Sequence, residues 1–120
     1  MAGVEIKNFD QPEETRRFEG KGKAELVSLE GALVSRATFE PGWKWSVNLK
    51  PIAKTESCQV HHRGYVVAGR MRVRMDDGTE GEVGPGQVVA IPPGHDAEVV
   101  GDENFVFIDF GDLSGYALPF

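Results

Sequence analysis

One cysteine, Cys58, is all that this chain of 120 residues carries, so no intrachain disulfide can staple it. A reducing cytoplasm is the expected setting, because Met1 to Asp10 also lack the basic start and apolar stretch of a secretory signal. Long apolar runs are missing as well. The longest, Phe105-Val106-Phe107-Ile108, is strand-sized and far short of the roughly 18 residues of a membrane span. Basic charge is outnumbered, 13 Lys and Arg against 19 Asp and Glu, for a formal net charge of −6. Nucleic-acid phosphates and anionic bilayers are repelled on average by such a chain and are not expected as partners. Helical periodicity of useful length is absent, and so is any internal repeat.

Turns are what the chain has in quantity. Its 15 Gly and 7 Pro punctuate short apolar segments, while 40% hydrophobic residues suffice for one folded core. At this length one domain is expected, with residues 1–22 as an N-terminal extension bearing at most one edge strand and residues 23–120 as a β-barrel. Strand-like segments run over 24–29, 33–39, 57–68, 70–75, 79–83, 87–91, 97–100 and 105–110. Turns at Pro41-Gly42, Gly69, Asp77-Gly78, Gly84-Pro85-Gly86, Pro92-Pro93-Gly94 and Gly101 separate most of them. The rhythm predicts an all-β antiparallel sandwich or barrel rather than βαβ units. Trp43, Trp45, Val47 and Leu49 alternate with polar residues and predict a further strand, its Trp pair facing the core. Across Asp77-Gly78 a three-residue loop sets Arg74 opposite Glu80, Arg72 opposite Glu82 and Met71 opposite Val83. That register pairs opposite charges, which a two-residue loop does not. Arg70, Arg72 and Arg74 then form a solvated ladder rather than an anion-binding stripe.

Chemistry-bearing side chains cluster between positions 58 and 95, where all three histidines and the cysteine lie. Cys58, Val60, His62, Gly64, Val66 and Ala68 share strand parity, and the set is mostly apolar, so Cys58 and His62 point inward while His61 faces water. Thiolate and imidazole suit late first-row divalent ions, and Glu56, on the same parity, is a third candidate ligand. The plainer alternative is a packed core Cys and His pair. Nucleophilic catalysis by Cys58 with His62 as base is the weakest option, because four residues of regular strand separate them by about 13 Å.

Gly86-Gln87-Val88-Val89-Ala90-Ile91-Pro92-Pro93-Gly94 resembles the second motif of the cupin superfamily, G-x5-P-x-G, and Gly69 resembles the glycine closing the first, G-x5-H-x-H-x(3,4)-E-x6-G. The similarity spans Phe39 to Phe110. It implies a double-stranded β-helix, the jelly-roll barrel, commonly a homodimer with its site inside. The ligand positions depart from the pattern: the family's glutamate falls on His62 and its two first-motif histidines on Glu56 and Cys58. The second-motif histidine falls on Ala97, with His95 two residues earlier on the same parity, and the closing asparagine falls on Gly101. The expectation is a divalent metal held by Cys58, His62, His95 and Glu56. Zinc is favoured by the thiolate, and iron, nickel and manganese stay open. A small-molecule ligand is expected beside it, with Trp43 and Trp45 lining the pocket. Whether the protein is an enzyme is left open. The alternatives are a metal-dependent oxygenase or isomerase, a metal-free sensor or carrier, and a core-only domain that dimerises. Phe105, Val106, Phe107, Ile108 and Phe110, a run apolar on both faces, add to the expectation of a homodimer.

Overall fold

In the computed structural model, which describes residues 3–118, nine strands and two short helices account for the regular structure. The strands are β1 (Glu14–Arg17), β2 (Gly22–Leu29), β3 (Ala32–Phe39), β4 (His62–Ala68), β5 (Arg70–Met75), β6 (Glu80–Val83), β7 (Val88–Ile91), β8 (His95–Val100) and β9 (Phe105–Asp109). Helices α1 (Trp45–Asn48) and α2 (Lys50–Ala53) lie between β3 and β4. One sheet has six strands in the order β1-β2-β3-β9-β4-β7, the other three in the order β6-β5-β8. Every pairing within them is antiparallel. The alternating burial along β4, β8 and β9 turns one face of each inward, which is how a period-2 sequence closes a jelly-roll core.

Aromatics fill that core. Phe39 stacks on Phe18 at 5.0 Å between ring centroids, meets Trp43 edge-on at 4.6 Å, and continues through Phe105 to Phe107. The hairpin between β5 and β6 has the expected register, Met71 opposite Val83, Arg72 opposite Glu82 and Arg74 opposite Glu80. Gly78 takes φ of +90°, the left-handed turn position where a side chain would be strained. Arg70 reaches Glu82 at 3.0 Å and Arg72 reaches Glu98 at 3.4 Å, on the solvent side.

Two segments depart from the sequence expectation. Trp43 to Leu49 is not a strand: Trp45, Leu49 and Ala53 are buried at a spacing of four, which a helical face satisfies as well as alternation does, and Val47 is 61% exposed. Asn48 decides between the two. Its Oδ1 accepts from the Lys44 N–H at 2.9 Å and its Nδ2 donates to the Glu19 carbonyl at 2.7 Å, closing the turn in a buried position. The expected strand from Ser57 also begins later, at His62. Cys58 makes only an isolated bridge to His95.

Candidate metal centre

That short bridge builds the site. The Cys58 N–H donates to the His95 carbonyl and the Gly94 N–H donates to the Cys58 carbonyl, each at 2.7 Å, fastening Cys58 to the start of β8. No strand runs between Cys58 and His62, and the two side chains come together. Cys58 Sγ lies 3.7 Å from His62 Nε2. The separation of about 13 Å deduced from a regular strand therefore does not apply. His95, on the inward face of β8 with Ala97 and Val99, completes the cluster. One ligand atom from each of Cys58, His62 and His95 falls within 4.8 Å of the others, and all three residues are buried.

Both imidazoles are oriented from behind. His62 Nδ1 is 2.6 Å from Asp109 Oδ2, and His95 Nδ1 is 2.7 Å from the Pro92 carbonyl. With each Nδ1–H donating, it is the Nε2 of each ring that is left for a common point, the arrangement in which histidines ligate metals. Asp109 is itself held: its Oδ1 accepts from the Gly111 N–H at 2.8 Å and the Arg63 N–H at 3.3 Å. The donor set, one sulfur and two imidazole nitrogens, could hold a divalent metal. Zn–S of about 2.3 Å and Zn–N of about 2.0–2.1 Å at a tetrahedral angle place S and N about 3.6 Å apart, close to the 3.7 Å between Cys58 and His62.

Burial pushes the Cys58 thiol up, but hydrogen bonds from His62 and His95 outweigh it and bring the thiol down to about 6. Burial likewise disfavours the His62 cation, and the bond to Asp109, then that to Cys58, raise it to about 9. Without metal, the pair is a thiolate beside an imidazolium through neutral pH.

Glu56 does not join the cluster. Its side chain is 97% exposed and bonds Lys50 Nζ at 3.2 Å, because the chain before Cys58 is loop and strand parity does not govern it. His61 is half-buried, and its carbonyl accepts from the Asp112 N–H. Trp43 and Trp45 line a cavity beside the centre, together with His62, His95, Asp109 and Tyr116. Its free space is about 30 Å³, and it is partly open to solvent. Among the described residues, the Nε1 of Trp43 is buried without a partner. Sequence reasoning missed Asp109 and Tyr116. Asp109 had a signal: it shares the inward parity of Phe105 and Phe107, where a carboxylate is out of place unless paired. Tyr116 lies past the last strand, where no periodicity speaks.

No family model and no curated protein matches the chain. Solved structures do. An RmlC-like cupin from Shewanella frigidimarina is similar at a TM-score of 0.62 and 15% identity, over 95% of this chain and 96% of that one. KdgF from Halomonas sp. is similar at 0.60 and 17%, over 90% and 91%. The chain has a small cupin-type fold. A double-stranded β-helix protein from Klebsiella pneumoniae agrees, at 0.57 and 21% over 87% and 80%. Among the described residues, no helix of this cupin-type chain is long and apolar enough to cross a membrane.

Proposed function

We propose that this cupin-type protein binds a divalent metal ion, zinc before others, through Cys58 Sγ, His62 Nε2 and His95 Nε2, with the remaining coordination position turned to the cavity and open to a small ligand. The observation that carries the reading is the convergence of three buried donors, two of them imidazoles whose other nitrogen is already committed. A bound ion would supply Lewis acidity and lower the pKa of a bound water. The chain's own residues fix the donors, exclude bulk water with Trp43, Phe105 and Phe107, and keep the Asp109 carboxylate as acceptor for the His62 proton. The free thiol fits a reducing, cytoplasmic setting. Protein purified without an affinity tag should carry close to one equivalent of metal by elemental analysis. Cys58→Ala and His62→Ala should each lose most of it, and metal-free wild type that takes up no zinc would refute the reading.

A metal-free binding module is favoured by one feature, the unpartnered Trp43 Nε1 beside an apolar cavity, which invites an oxygen acceptor on a small ligand. Shifts in Trp fluorescence with candidate ligands, unaffected by chelator, would select this second reading.

We also propose that two copies associate through the outer face of the larger sheet. Val88, Tyr65 and Ile108 stand opposite one another across β7, β4 and β9, with Val88 78% and Tyr65 44% exposed. Val67 on β4 and Phe110, just past the end of β9, extend the apolar surface.

A further inference from the structure

On one side the two sheets are not sewn together. β6 ends the smaller sheet and β7 ends the larger, and among the described residues neither strand pairs with the other across the turn that joins them. Strand register shows which side chains of these edges turn to the core. Gly81 stands opposite Val73 and Val83 opposite Met71, while Val89 stands opposite Gly64 and Ile91 opposite His62. Val73, Met71 and His62 are buried, so Gly81, Val83, Val89 and Ile91 share their inward side. A groove follows this seam, lined chiefly by Val73, Met75, Gly81, Val83, Val89 and Ile91. Three of them, Val83, Val89 and Ile91, also line the cavity beside the centre, so groove and cavity meet there. Gly81 keeps the groove open. It occupies an inward strand position, where glycine has no side chain to pack, and a Cβ built on it would meet nothing within 4 Å. The cavity is also lined by Trp43, whose buried Nε1–H has no acceptor. No lysine or arginine lines groove or cavity, whereas Glu80 lines the one and Asp109 the other. Arg70, Arg72 and Arg74 alternate onto the exposed face of β5. The surroundings therefore favour a neutral, mostly apolar ligand over an anion.

We propose that groove and cavity form one binding site for an aliphatic molecule with a neutral oxygen at one end: the oxygen accepts from Trp43 Nε1–H in the cavity, and the hydrocarbon tail leaves between β6 and β7 over Gly81. A peptide or a second copy laid along either edge would cover the groove without reaching a donor on a residue 2% exposed. The proposal rests on the small-ligand site proposed above and not on the metal, so metal-free protein tests it separately.

The chain's two tryptophans, Trp43 and Trp45, both line the cavity, so their fluorescence reports binding, and calorimetry gives the affinity. The probes are straight-chain primary alcohols from propanol to octanol, added to metal-free protein. Affinity should tighten about 3–4-fold per added methylene, as burial of each from water requires. Gly81→Val fills the groove without a clash and puts a better strand former on β6, so its thermal midpoint should be no lower than that of wild type. It should leave propanol binding unchanged and weaken octanol by about tenfold or more. Met75→Gln, at a half-buried position that lines the groove and not the cavity, should weaken the long alcohols several-fold and spare the short ones. Affinity that does not depend on chain length, or is the same in folded Gly81→Val as in wild type, overturns the proposal. So does a wild-type dimer that Gly81→Val converts to a monomer without any alcohol binding, since the groove is then a contact between copies. Protein that takes up zinc but no alcohol leaves the metal reading standing and removes this one.

Discussion

Asp109 and His62, 47 residues apart in sequence, meet at 2.6 Å between a carboxylate oxygen and Nδ1, with both side chains buried. The contact joins β9 to the first residue of β4, neighbours in the larger sheet. It fixes which His62 nitrogen faces Cys58.

If that contact prepares His62 to ligate, Asp109→Asn should weaken zinc binding by about 10–100-fold while the fold persists, the usual effect of losing such an outer partner. Competition against a chromophoric chelator measures it. Wild-type affinity in a folded Asp109→Asn protein would show that the carboxylate only fills space.

The acid–base state of the pair sets the pH dependence of metal binding. In the metal-free protein Cys58 is a thiolate above about 6, and His62 keeps its proton up to about 9. Ligation needs thiolate and neutral imidazole. One proton is therefore displaced between these values and two below the lower one. Zinc affinity should rise about tenfold per pH unit from this pair between 6 and 9, and more steeply below 6. Thiolate absorbance near 240 nm should titrate with a midpoint close to 6 in the metal-free protein. In His62→Ala the midpoint should move up, because burial is left less opposed. A midpoint in the ordinary range of a free cysteine would remove the ion pair.

The parts of this molecule that could be read from sequence are those governed by strand period and turn chemistry. Inward parity gave His62 on β4, and the shared parity of His95 and Ala97 gave His95 on β8, because both lie on regular strands. Cys58 reached the site by a different route, a bridge to His95 from an irregular segment, which parity describes only by coincidence. Glu56, two residues earlier in that segment, shows the same parity failing. Trp45 and Leu49 satisfied two periodicities at once, and the choice lay with Asn48 hydrogen bonds to distant backbone. Arg16 and Tyr116 meet about 100 residues apart, a pairing that local pattern does not encode.

The dimer has its own test. Tyr65→Glu places a charge at the centre of the Val88, Tyr65, Ile108 row on an exposed strand face, where a monomer tolerates it and an apolar interface does not. Wild type should scatter light as twice its 13.1 kDa and the variant as a monomer of unchanged thermal midpoint. A wild-type mass of one chain at micromolar concentration refutes self-association.

Gly111 tests how tightly the end of β9 is tied to the centre. A Cβ there would run into the His61 carbonyl and press on the Cα of His62 at 2.8 Å, and all the atoms it meets are backbone. Nothing at the end of a flexible side chain can yield, so either β4 or the turn after Asp109 must shift. Gly111→Ala should lower stability by about 1–3 kcal/mol, the range for overpacked sites. The Gly111 N–H also donates to Asp109 Oδ1, so a shifted turn loosens the carboxylate behind His62. The variant should therefore weaken zinc binding in addition to lowering the thermal midpoint. Gly42→Ala provides the comparison: φ is +89° there, but the nearest atoms belong to the flexible Lys21 side chain. It should reduce stability through backbone strain and leave zinc affinity unchanged. Equal effects of the two substitutions on zinc affinity would mean that the turn after β9 does not position Asp109.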